Sequence, residues 1–142
     1  MISCGTPNEE ASFVNQSTIK YEYEVLYTNQ KGNFEAALLR ESQNTFYTAI
    51  TYTGEEKEVE ITHSSRVFRG LLYDENGNIA KDLGVDDVEM PTTLKAKEPL
   101  YEDLGVNSIV EKLDAFEFEL EVSLRNNENY IEIPISYVVE KE

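Results

Sequence analysis

His63 is the only histidine in the 142-residue chain. A Ser-His-Asp relay or a two-histidine metal site would have to be built around it or not at all. Ser64 and Ser65 stand beside it, but His63 also continues the phase of Val59 and Ile61. The expectation is therefore a partly buried, hydrogen-bonded strand histidine next to a turn, not a general base. Asp74, Asn76 and Asn78 place oxygen ligands at alternate positions, as calcium loops do. An EF-hand loop needs glycine at its sixth position, where this chain has Ile79, and Asn76-Gly77 already suffices to make a hairpin turn. A calcium site would have to recruit Asp86, Asp87 or Glu89 as well. No metal and no cofactor are expected.

The remaining chemistry-bearing residues are carboxylates and phenols. Glu22 with Glu24, and Glu117 with Glu119, are spaced two apart, which sets each pair side by side on the outward face of a strand. Acid–base catalysis needs one such carboxyl group desolvated in a cleft, and nothing in the sequence marks one. Nine tyrosines are present, and Tyr47 and Tyr52 leave both faces of one strand aromatic. A ligand platform is one reading; most of the nine fall on the apolar phase, which favours sheet packing. No glycine-rich phosphate loop opens a helix. The chain is therefore expected not to be an enzyme. A hydrolase using His63 or a carboxylate pair is the reading that replacement of His63 would address.

These residues must be positioned by strands. From Ile19 to Thr28, apolar Ile19, Tyr21, Tyr23, Val25 and Tyr27 alternate with Lys20, Glu22 and Glu24. The same period returns at Phe116, Phe118, Leu120, Val122 and Leu124, and again at Ile131, Ile133, Ile135, Tyr137 and Val139. Asn126-Asn127-Glu128-Asn129 joins the last two runs as a hairpin. Pro134, on the outward phase, puts that last strand at an edge or a bulge. Strands are predicted over residues 34–40, 45–53, 57–63, 66–73, 79–83 and, more weakly, 92–100. One short peripheral helix is expected over 108–113, where Ser108 and Glu111 have capping-box spacing. Eight or nine strands without crossover helices predict an all-β fold, an immunoglobulin-like antiparallel β-sandwich over residues 18–142.

Composition narrows the partners. Asp and Glu number 28 against 12 Lys and Arg, a formal net charge of −16, which opposes nucleic acid and anionic membrane surfaces. A basic partner or simple solubility would use the same charge. The single cysteine, Cys4, precludes an intramolecular disulfide, so the packed core must carry stability. No stretch approaches the apolar length of a membrane span.

Met1-Ile2-Ser3-Cys4-Gly5 resembles the end of a bacterial lipoprotein lipobox, in which an apolar residue and small residues precede the lipidated cysteine. The segment reads as one trimmed near its processing site. The resemblance implies lipid attachment at Cys4, with residues 1–17 as a polar tether in which only Phe13 and Val14 suggest docking. Asn15-Gln16-Ser17 fits the glycosylation tripeptide but is set aside under a bacterial reading.

In mid-chain, Gly70-Leu71-Leu72-Tyr73-Asp74-Glu75-Asn76-Gly77-Asn78 and Thr93-Leu94-Lys95-Ala96-Lys97-Glu98 resemble the intracellular proteinase inhibitor family typified by BsuPI. In that family a strand ending in Tyr-Asp, an acidic Asn-Gly type turn and a later Leu-x-x-Gly-Glu segment recur. Here Lys97 replaces the glycine before Glu98. The resemblance implies an immunoglobulin-like fold and, as an alternative function, proteinase inhibition in the cytoplasm. The leading expectation is a non-enzymatic binding module, lipid-anchored on the outer face of the membrane. It would be monomeric, touch the membrane only through Cys4 and engage an unidentified protein or extracellular ligand. The loops Asp74 to Asn78 and Asp86 to Pro91 are the expected contact points.

Overall fold

A computed structural model describes residues 19–84 and 88–141. Cys4 and the 1–17 tether lie outside the described residues, as do Asp86 and Asp87. Among the described residues, ten strands and one helical turn follow in order. They are β1 (Glu24–Lys31), β2 (Phe34–Ser42), β3 (Thr45–Tyr52), β4 (Glu58–His63), β5 (Phe68–Asp74), β6 (Ile79–Asp82), β7 (Met90–Lys95), β8 (Leu100–Asp103), α1 (Asn107–Val110), β9 (Ala115–Asn126) and β10 (Asn129–Glu140). A four-stranded antiparallel sheet runs β1-β2-β3-β8. A six-stranded one runs β6-β5-β9-β4-β7, with β10 along the other side of β9. The chain is an all-β, two-sheet antiparallel sandwich.

The core lies between the sheets, and the alternating runs explain it. Phe116, Phe118, Leu120, Val122 and Leu124 of β9 are all buried, as are Ile133, Ile135 and Val139 of β10. Phe46 of the opposite sheet meets Phe118 at 5.1 Å and Phe116 edge-on at 5.7 Å between ring centroids. Each such ring contributes about 2–3 kcal/mol by leaving water. A carboxylate ties the layers together as well: Glu102 on β8 accepts from the backbone N–H groups of Val67 (2.8 Å) and Phe68 (3.2 Å) where β5 begins. Among the described residues β10 pairs with β9 alone, which puts Pro134 on an edge strand there, and the Pro134 carbonyl accepts from Asn29 Nδ2 of β1.

Three expectations need correction. The first strand begins at Glu24 rather than Ile19, and a bulge between Val25 and Tyr27 reverses its phase. Tyr21, Tyr23 and Val25 therefore pack on the outer face of the four-stranded sheet, while Leu26 and Tyr27 turn into the core. The predicted strand over 92–100 is two strands in different sheets. Lys97 takes φ +66 between them and its N–H bonds to the Tyr52 carbonyl, which diverts the chain from β7 to β8. The helical turn spans Asn107–Val110 with Val106 at its N-cap and no side-chain cap, so Ser108 and Glu111 do not form a capping box.

Candidate functional site

The two sheets treat their outward faces differently. On the four-stranded sheet, small residues make room: Ala37 of β2 pairs with Ala49 of β3, and both are fully buried. Residues 21–23, just before β1, fill that space. Tyr23 stacks on Tyr47 at 4.5 Å with 6° between ring planes and meets Tyr101 edge-on at 5.4 Å. The Glu22 N–H donates to the Tyr101 phenol oxygen at 3.0 Å. The Tyr21 hydroxyl donates to Oε2 of the buried Glu35 at 2.6 Å. Burial, reinforced by the Glu35 carboxylate beside it, pushes the Tyr21 phenol far above the usual tyrosine range. The tyrosine platform suggested by Tyr47 and Tyr52 is thus occupied: Tyr47 lies under Tyr23, and Tyr52 is buried against Phe34 in the core.

No described segment packs over the equivalent face of the six-stranded sheet in this way. Register places Tyr73 of β5, Glu117 of β9 and Val138 of β10 in one row, with Ile79 of β6 opposite Tyr73. The next row is Leu71, Glu119 and Ser136, and the one after is Arg69, Glu121 and Pro134. Ile79 is 59% exposed and Val138 56%, while Tyr130, farther along the outward phase of β10, is 72% exposed. Ile79 and Val138 flank one row, whereas Tyr130 lies near the other end of β10, about 27 Å away; exposed apolar side chains gathered in one row mark an interaction surface better than scattered ones do.

The charge on this face is acidic. Glu58 and Glu60 of β4, Glu117, Glu119 and Glu121 of β9, and Glu132 and Glu140 of β10 share the outward phase. They outnumber Arg69, Lys95 and Arg125 on the same phase. Arg69 is engaged with Glu121 at 3.1 Å, and Arg125 faces Glu89 at 3.7 Å. Ser136 Oγ donates to Glu119 Oε2 at 2.6 Å. A hydrogen bond shared with Glu119 holds the Glu117 carboxyl above the usual carboxylate range, with desolvation and the Glu119 charge adding to it. Glu119 is lowered by the same bond and by the one from Ser136.

Two of the shallow hollows among the described residues interrupt the face. One, of about 450 Å³, opens between Arg69, Leu71, Asp82, Glu119, Glu121 and Pro134. The other, of about 200 Å³, lies at the β9–β10 turn end between His63, Val88, Glu89, Arg125 and Tyr130. His63 is held there on both ring nitrogens, by the Ser64 carbonyl at Nδ1 and the Thr92 hydroxyl (2.6 Å) at Nε2. Its neighbour Ser64 contributes a carbonyl to the ring, not its hydroxyl.

The described parts of the two loops singled out in the sequence lie at opposite ends of β9. Asp74 pairs with Phe116 at the start of β9, whereas Met90 pairs with His63 beside Arg125 near its end. About nine residues of strand, on the order of 30 Å, separate these ends. The Asp74 loop is also closed on itself: Asp74 Oδ1 accepts from the N–H groups of Asn76 and Asn78, each at 2.9 Å, and Gly77 alone takes positive φ. Among the described residues no group of three or more His, Cys, Asp or Glu side chains is placed to hold a metal ion.

Sequence reasoning had Glu117 and Glu119 as an outward pair but missed the apolar residues around them. Tyr130 and Val138 occupy outward positions of a strand whose other outward residues are Glu132, Pro134, Ser136 and Glu140, and that mismatch was the available signal. No protein-family model matches the chain, and no curated protein matches it.

Proposed function

We propose that this chain is a non-enzymatic binding module of a lipid-anchored bacterial cell-surface protein, tethered through Cys4. The observation that carries the binding reading is the outer face of the six-stranded sheet, left uncovered by the described residues, where Ile79 and Val138 stand exposed beside a carboxylate ladder. A face of this kind buries apolar area on contact while its charged rim selects the partner. The anchoring reading is supported by the lipobox-like Ile2-Ser3-Cys4 and the polar residues that follow.

Mass spectrometry of the N-terminus of the protein isolated from its native cells tests the anchoring directly. The expected result is Cys4 as the first residue, carrying a diacylglyceryl group. An unprocessed Met1 with a free Cys4 thiol would overturn it and place the module in the cytoplasm.

A second reading, a proteinase inhibitor of the BsuPI type, is favoured by one specific observation. Lys97 stands where that family carries glycine, and its φ of +66 is the left-handed conformation that glycine adopts without cost. A subtilisin inhibition assay separates the readings: no inhibition at micromolar protein removes the inhibitor, and tight inhibition puts it first.

A further inference from the structure

We infer that the outer face of the six-stranded sheet docks a cationic, extended polypeptide segment lying along β9; this deepens the binding-module reading and rests on it. Three observations converge on that occupant. The first is charge: Glu117, Glu119 and Glu121 form a ladder along β9, and among the described residues only Glu121 has a cation against it within the face. Lys or Arg side chains arriving at Glu117 and Glu119 would supply the missing positive charge.

Spacing is the second. Alternate residues of a strand stand about 6.8 Å apart, so the carboxylate ladder has the repeat of an extended chain with a basic residue at every second position. The third is the apolar margin. Val138 borders Glu117 on one side, Tyr73 and Ile79 on the other. The methylene stems of lysine or arginine, or apolar residues alternating with them, would cover these side chains while the charged heads reach the carboxylates. A bare metal ion would leave Ile79 and Val138 in water, and an anionic partner would meet the carboxylates unpaired.

Tyr73 from β5, Asp82 from β6, Ser136 from β10 and the Arg69–Glu121 pair are polar groups that border this site.

The test uses the full chain and a fluorescein-labelled octapeptide of alternating lysine and valine, with the glutamate–valine octapeptide as control, read by fluorescence anisotropy. Binding of the lysine peptide is expected, weakening as salt is raised, with none of the glutamate peptide. The double variant Glu117→Gln/Glu119→Gln should weaken binding about tenfold, and Val138→Ser about threefold. Glu55→Gln/Glu56→Gln removes the same charge from the exposed β3–β4 loop, off the face, and should change affinity less than about twofold. Thermal unfolding of each variant checks that it is folded.

Absence of binding, or equal loss in the loop variant and the β9 variant, overturns the inference, the second because it would reduce the effect to overall charge. Lipidated Cys4 without peptide binding overturns the inference and leaves the anchored module standing. Face-dependent peptide binding with an unlipidated Cys4 does the opposite.

Discussion

The outer faces of the two sheets solve the same problem in opposite ways. The four-stranded sheet covers its outer face with the chain's own residues 21–23, setting Tyr21 on Glu35 and Tyr23 on Tyr47 and Tyr101 over the Ala37–Ala49 pair. The six-stranded sheet presents Tyr73, Val138 and Ile79 around a carboxylate ladder, with no comparable cover among the described residues. Outward apolar residues therefore mean different things on the two faces. Where small residues lie beneath them they are packing, and where glutamates lie between them they are a surface.

The largest expected effect comes from breaking the frame under the open face. Gly70 has φ +151, and a Cβ there would lie 2.1 Å from the Glu119 carbonyl oxygen and 2.7 Å from the Leu120 Cα. Both obstacles are backbone, so Gly70→Ala has to open the β5–β9 ladder. We expect a loss of about 3 kcal/mol in chemical denaturation. An unchanged midpoint would mean that β5 does not approach β9 so closely.

Truncating matched positions on the two faces sharpens the contrast. Tyr23→Ala removes a stacked ring and an edge contact and should cost about 2 kcal/mol. Val138→Ala on the open face should cost less than about 0.5 kcal/mol, as for a surface residue. Equal costs would erase the distinction between a covered and an open face. Tyr21→Phe, which takes one donor from the buried Glu35 without changing the packing, should cost about 1–2 kcal/mol in the same denaturation experiment.

The smallest effect is a titration. Because Glu117 holds its proton more tightly in the folded protein, its contribution to stability is fully present below the ordinary glutamate range and is lost as pH rises through its raised value. Glu119, lowered, works in the other direction: its contribution is present above the ordinary range and is lost as pH falls through its own value. In Glu119→Gln the Glu117 midpoint, followed by side-chain carboxyl NMR, should move down toward that of an ordinary glutamate. A midpoint that stays in place would show that the two carboxyl groups do not share a proton.

How much of this was legible in the sequence depended on local regularity. The β9–β10 hairpin pairs residue for residue from Asn126 with Asn129 to Ala115 with Glu140, without a bulge, so its alternation could be read directly. At β1 the period was real but the face was wrong beyond Val25, because a one-residue bulge is invisible to a count of alternate positions. The break between β7 and β8 was hidden because lysine, not glycine, takes the left-handed conformation at Lys97. The carboxylate pair was legible, being two residues apart on one strand. Its apolar neighbours were not, since Tyr73, Ile79 and Val138 reach Glu117 only through the order of four strands, which no local pattern encodes.

Backbone amide NMR of the full chain, titrated with the lysine–valine octapeptide, tests most directly whether the open face is the working one. Shift changes are expected to concentrate on β5, β9 and β10 around Leu71, Tyr73, Glu117, Glu119 and Val138, with residues 21–25, 47 and 101 unmoved. Changes centred on the tyrosine-covered face or on the Asp74 to Asn78 loop would contradict the account.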